Sequence, residues 1–76
     1  MNFTIEVYEH DHNSKRIWLE TNEVRMIVAE LREVRRGWEV AYFANAGLLR
    51  PTATLALEAY CKDQLALINI TRRMLA

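Results

Sequence analysis

From Thr54 the chain reads LALEAYCKDQLALINITRRML, a run with neither glycine nor proline in which Leu57, Cys61, Leu65, Ile68 and Leu75 recur at steps built of three and four. That spacing sets them on one side of a helix. An unbroken run of this length predicts a single helix roughly 33 Å long, opened by Thr54 as N-cap. This helix constrains the fold more than any other stretch, because its apolar stripe has to lie on something, and the rest of the chain has to build that surface. Its length also predicts a free end beyond the edge of a four-stranded sheet.

Strand patterns precede it. In FTIEVYE, Phe3, Ile5 and Val7 alternate with Thr4, Glu6 and Tyr8, and in KRIWLE, Ile17 and Leu19 alternate with Trp18 and Glu20. A period of two belongs to strands with one buried face. Between them HDHNS is rich in turn formers, so the two strands read as a hairpin. TNEVRMIVAELREVRRG follows, with Val24, Ile27, Val28, Leu31 and Val34 at the i, i+3, i+4, i+7 spacing of a helical stripe. Thr21 or Asn22 suits the N-cap and Glu23 the first turn. Arg35 and Arg36 suit the last turn, and Gly37 suits the left-handed closing position, with Trp38 folding back on Val34. These signals agree on a first helix. WEVAYFA then gives a third strand, with Trp38, Val40 and Tyr42 on one face; NAG suits a turn, and LLR a short return strand ended by Pro51.

The expected fold class is therefore α+β: a four-stranded antiparallel sheet of ββαββα order with two helices packed on one face, in a single domain spanning residues 1–76. The halves can be laid over each other, IEVY on WEVA and Asn13 on Asn45, either by duplication or by convergent use of a hairpin and a helix.

Composition narrows the function classes. Half the residues are hydrophobic (51%) and 26% are charged, the balance of a folded chain. A chain of 76 residues builds a small core, and a homodimer would relieve that shortage. Ten basic side chains offset ten acidic ones, so the net positive charge that drives non-specific nucleic-acid binding is missing. The opening MNFTIEVYEH has no signal-like basic and apolar regions, and no apolar run approaches the roughly 20 residues of a membrane helix. A cytoplasmic protein without a membrane partner is expected. Its one cysteine forms no internal disulfide.

Chemistry-bearing residues are few. His10, Asp11 and His12 would offer two imidazoles and a carboxylate to zinc or nickel, but further ligands are lacking, and the other reading is a solvated hairpin tip where Asp11, Asn13 and Ser14 bond their own backbone. There His10 and His12 would serve as rim contacts. Cys61 has no surrounding base and reads as core filler. Gly37 and Gly47, the only glycines, form no phosphate-cradling loop. No enzyme activity, cofactor or metal is expected. Arg25, Arg32 and Arg36 would line the first helix on the side away from its apolar stripe, a nucleic-acid contact surface that Lys15, Arg16, Arg72 and Arg73 could extend, though Glu30 and Glu33 share it. The less ordinary feature is the sheet face turned away from the helices. If Phe3, Ile5, Val7, Ile17, Leu19, Trp38, Val40 and Tyr42 face the helices, then Glu6, Tyr8, Trp18, Glu20, Glu39 and Phe43 share the uncovered side. Aromatics with carboxylates suit a protein partner, while cross-strand pairing of Tyr8 with Trp18 would stabilise the sheet without binding anything.

The second half, WEVAYFANAGLLRPTATLALEAYCKDQLA, resembles the small α/β proteins encoded by phages and mobile elements, anti-CRISPR inhibitors among them. The resemblance implies a non-enzymatic protein that binds a host effector complex and blocks its nucleic-acid site or its assembly. A net charge of zero departs from the acidic inhibitors that mimic DNA, so direct protein blocking fits better. The leading expectation is a small interaction protein of this inhibitor kind, acting on a host effector through its acidic and aromatic sheet face, and able to form a homodimer. The alternative is a small nucleic-acid-binding regulator using the basic side of the first helix.

Overall fold

The computed structural model describes residues 2–75, without the side chain of Leu75, the last residue of the anticipated stripe. Four strands, β1 (Thr4–Asp11), β2 (Ser14–Glu20), β3 (Arg25–Val34) and β4 (Gly37–Tyr42), precede a short 3-10 helix (Ala44–Leu48) and one long helix, α1 (Pro51–Leu75). The strands form one antiparallel meander in the order β1-β2-β3-β4. The α+β class and the four-stranded antiparallel sheet hold. The ββαββα order and the second helix do not: the order is ββββα.

The segment anticipated as the first helix is β3, and its local chemistry explains the difference. Ile17 pairs with Ala29 while Trp18 pairs with Ile27, so Val28 is an extra residue, a β-bulge. The bulge shifts the alternation by one, leaving Val28 and Ala29 both buried, with Leu31 two residues further on. Two strand phases joined by a bulge thus reproduce the 27, 28, 31 spacing of a helical stripe. The supposed N-cap is real chemistry in another setting. Thr21 Oγ1 accepts the backbone N–H groups of Glu23 and Val24, each at 3.2 Å, and Thr21 N donates to Val24 O at 2.8 Å, closing a tight turn between β2 and β3. Gly37 does adopt a positive φ, +138°, but there it returns the chain into β4, with Val34 opposite it and Glu33 opposite Trp38.

The anticipated return strand after Gly47 is absent; the 3-10 helix occupies its place. Asn45 Nδ2 donates to Ile27 O at 3.1 Å and Phe43 N to Val28 O at 3.0 Å, so this connection satisfies the carbonyls around the bulge, where β4 has already ended. Pro51 opens α1 instead of ending a strand, as its fixed φ and missing N–H suit the first helical position, and Thr54 N donates to Arg50 O at 2.9 Å.

One face of the sheet is covered. Ile17, Leu19, Val28, Ala29 and Leu31 from the sheet and Ala53, Leu57 and Cys61 from α1 make the buried core, with Phe3, Ile5, Val7, Trp38, Val40, Leu65 and Ile68 packed at its margin. Tyr42 shares this face by register with Ala29 but stays about half exposed (48%), at the margin beside Cys61. From Asn69 to Met74 every side chain of α1 is exposed, so the helix does carry a free end. Among the described residues no helix is long and apolar enough to cross a membrane.

Candidate functional site

The uncovered face is set by register. Opposite one another stand Thr4 and Glu20, Glu6 and Trp18, Tyr8 and Arg16. On the other side of β2, Arg16 meets Glu30, Trp18 meets Ile27 and Glu20 meets Arg25, while Arg32 meets Glu39 across β3 and β4. Glu6, Tyr8, Trp18, Glu20 and Glu39 therefore share one face, as the alternation of β1, β2 and β4 anticipated. Phe43 continues the alternation of Glu39 and Ala41 one residue beyond β4, where it leads into the 3-10 helix and is 37% exposed.

Arg25 is the centre of this face. Its guanidinium carbon lies 4.2 Å from the centroid of the Trp18 ring and 5.5 Å from that of Tyr8, and its Nε is 3.6 Å from Glu20 Oε1. Tyr8 and Trp18 are diagonal neighbours rather than the side-by-side pair expected, and the arginine bridges them. The cation over the indole face is attracted by the ring quadrupole, and the carboxylate of Glu20 adds a loose, solvent-exposed ion pair. The Tyr8 hydroxyl donates to Glu6 Oε2. That bond, with burial and the negative charge of Glu6 adding to it, raises the Tyr8 pKa above its ordinary value against the opposing pull of Arg25, so the phenol stays a donor. Arg16 Nε with Glu30 (3.2 Å) and Arg32 Nε with Glu39 (3.1 Å) complete a face on which each arginine has its own carboxylate, leaving Glu6 as the acid without an arginine among the described residues.

Arg25, Arg32 and Arg36 do not line up on a helix. The first two lie on β3 within ion pairs, and Arg36 sits in the β3–β4 turn, where it lines a cavity with Gly37, Asn69, Arg72 and Arg73. Arg25 lies on the open face and not on a helix, because the bulge gives β3 a helical spacing. The β-branched content of the segment, Val24, Ile27, Val28 and Val34, was the signal that pointed to a strand.

At the β1–β2 turn the register slips between Glu9 and Asp11, leaving His10 without an opposite residue. Asp11 Oδ1 accepts the backbone N–H of Asn13 at 2.7 Å and the hydroxyl of Ser14 at 3.0 Å. These bonds, with a smaller contribution from the two histidines, hold the Asp11 carboxyl below its usual range. The carboxylate is engaged with its own turn, and among the described residues no three metal-ligating side chains converge. Cys61 is buried at the core, where desolvation raises its thiol pKa and the neighbouring Tyr42 hydroxyl partly offsets the rise.

Compared with protein-family models, with curated proteins and with solved structures, the chain matches none.

Proposed function

We propose that this is a small non-enzymatic interaction protein that binds a partner protein through the uncovered face of its sheet. The observation that carries the proposal is the Arg25 guanidinium set between Trp18 and Tyr8 on a face that neither helix covers. Tryptophan, tyrosine and arginine are the side chains that dominate binding energy at protein interfaces. Here they are already gathered: Arg25 lies over the Trp18 and Tyr8 rings beside Glu20, Glu6 accepts from the Tyr8 hydroxyl, and all stand on paired strands. Little side-chain entropy remains to be lost on docking. Glu6 and the exposed rim carboxylates Glu20 and Glu39 favour a partner with basic groups around an apolar centre. Resemblance of the second half to small phage-encoded inhibitors suggests a host effector as that partner, blocked at its nucleic-acid site or in its assembly. A homodimer would add the buried area that so short a chain lacks.

The reading as a nucleic-acid regulator loses the helix it was built on. Arg25 and Arg32 would each have to release a carboxylate before contacting a phosphate. The test is Trp18→Thr, read by melting temperature and by capture of a partner from host lysate at gentle salt. Lost capture from a folded variant supports the proposal; intact capture with lowered stability means that Trp18 serves the sheet alone and overturns it.

A further inference from the structure

We propose that a second site, on the opposite side of the sheet from the Trp18 face, binds a phosphorylated nucleoside, with the phosphate held by Arg36, Arg72 and Arg73 and the base set against Trp38. Two cavities meet there. The first, about 490 Å³, is lined by Arg36, Gly37, Asn69, Arg72 and Arg73, with no carboxylate among the described residues that line it. The second, about 520 Å³, lies between the sheet and the outer half of α1, with Trp38, Leu67 and Ile68 giving it an apolar wall and Gln64 and Thr71 its polar atoms. Arg72 borders both, and each volume falls in the range of small-molecule sites.

The arginines come from two elements that are far apart in sequence, the β3–β4 turn and the last turn of α1. Gly37 stands where they meet. A Cβ at that position would stand 3.6 Å from Arg72 Nη1, an ordinary contact distance, which places the guanidinium against the turn that carries Arg36. Among the described residues none of the three is in an ion pair, unlike Arg16, Arg25 and Arg32 on the other face. Arg72 and Arg73 also offset the negative end of the helix dipole. Arg36 has no such duty, so its presence in the cavity is what the dipole leaves unexplained. Three guanidinium groups with an amide from Asn69 provide the planar, multidentate donors that bind phosphate.

Charge in the second cavity fixes the direction of the ligand. Glu9 and Glu33 border it together with Lys15 and His12. Two carboxylates make it a poorer place for a phosphate than the first cavity, and they accept hydrogen bonds from sugar hydroxyls or an exocyclic amine. The Thr71 hydroxyl already donates to Leu67 O at 2.9 Å, which leaves the Gln64 amide as the group free to read a base edge. An aromatic base against Trp38 gains stacking energy of the kind seen in nucleotide-binding grooves.

The experiment is calorimetric titration of the full chain at low salt with ATP, with inorganic triphosphate, and with a short single-stranded DNA carrying or lacking a 5′-phosphate. The proposal expects ATP or the 5′-phosphorylated strand to bind at least about tenfold more tightly than inorganic triphosphate, since only they bring a base. Preference for ATP assigns a free nucleotide; preference for the strand, lost without its 5′-phosphate, assigns a strand end. Arg36→Glu, on an exposed turn, should weaken binding at least about tenfold with an unchanged melting temperature. Trp38→Leu should weaken ATP and not triphosphate; since Trp38 also borders the core, Gln64→Ala provides the same comparison on a folded chain. No heat with either nucleoside ligand, equal affinity for ATP and triphosphate, or an Arg36→Glu variant that binds as well as the parent overturns it.

Discussion

Gly37 and Gly47 are the two glycines of the chain, and replacing each with alanine should move stability in opposite directions. Gly37 has φ +138°, a conformation that costs an L-residue about 1–3 kcal/mol. The added methyl itself meets little: its nearest neighbour, Arg72 Nη1, lies at 3.6 Å, an ordinary contact. Alanine also narrows the unfolded ensemble, which returns about 0.4–1 kcal/mol, so Gly37→Ala should be destabilising by about 1–2 kcal/mol net. In a domain of this size each kcal/mol shifts the melting temperature by about 4–8 °C, so thermal unfolding followed by circular dichroism should drop by about 5–15 °C. At Gly47 there is no positive φ and nothing within 4 Å of the new Cβ, so the same change keeps only the unfolded-state gain. Gly47→Ala should raise the midpoint by a few degrees, on the order of 0.4–1 kcal/mol. A Gly37→Ala midpoint equal to or above the parent would refute the hairpin geometry that brings β3 into β4, and with it the position of Arg36.

Other predictions follow from the same contacts. Arg25→Ala should expose the Trp18 indole, shifting its fluorescence to longer wavelength, and a double-mutant cycle with Trp18→Thr should give a coupling of about 0.5–1 kcal/mol; zero coupling would mean the two do not touch in solution. Cys61, buried and with its thiol pKa raised chiefly by desolvation, should react with a thiol reagent at pH 8 far more slowly in the native chain than in denaturant, and equal rates would contradict its place in the core. Because Asp11 titrates below its ordinary value in the folded chain, its contribution is present above about pH 4, the unfolded value, and fades as pH falls through the folded one. Asp11→Ala should therefore flatten the acid side of the stability curve, and an unchanged slope would remove the turn bonds from the account.

Most of the sheet was legible because strand alternation is a short-range signal. Ile5, Val7, Ile17 and Leu19 face the helix as their period of two requires, and the same parity carries Glu6, Tyr8, Trp18, Glu20 and Glu39 to the open side. The long helix was legible through its stripe, although Pro51 starts it earlier than Thr54 would suggest. β3 was not legible. Its bulge at Val28 imitates a helical period, and Thr21 and Gly37, which would cap a helix, serve turns instead, Thr21 through the same hydrogen bonds and Gly37 through a positive φ. Local chemistry of this kind does not separate a capped helix from a strand between two tight turns; pairing with β2 and β4 decides it. The same bulge hid two placements: Arg25 lies on the open face, and Arg36 lies with Arg72 and Arg73 at the other side.

The most direct test of the open face as the working surface compares two charge reversals, Arg25→Glu beside Trp18 and Tyr8 and Lys62→Glu on the exposed side of α1, for capture of a partner from host lysate by otherwise identical, folded proteins. The account predicts that Arg25→Glu loses the partner and Lys62→Glu retains it. Equal capture by both would contradict it.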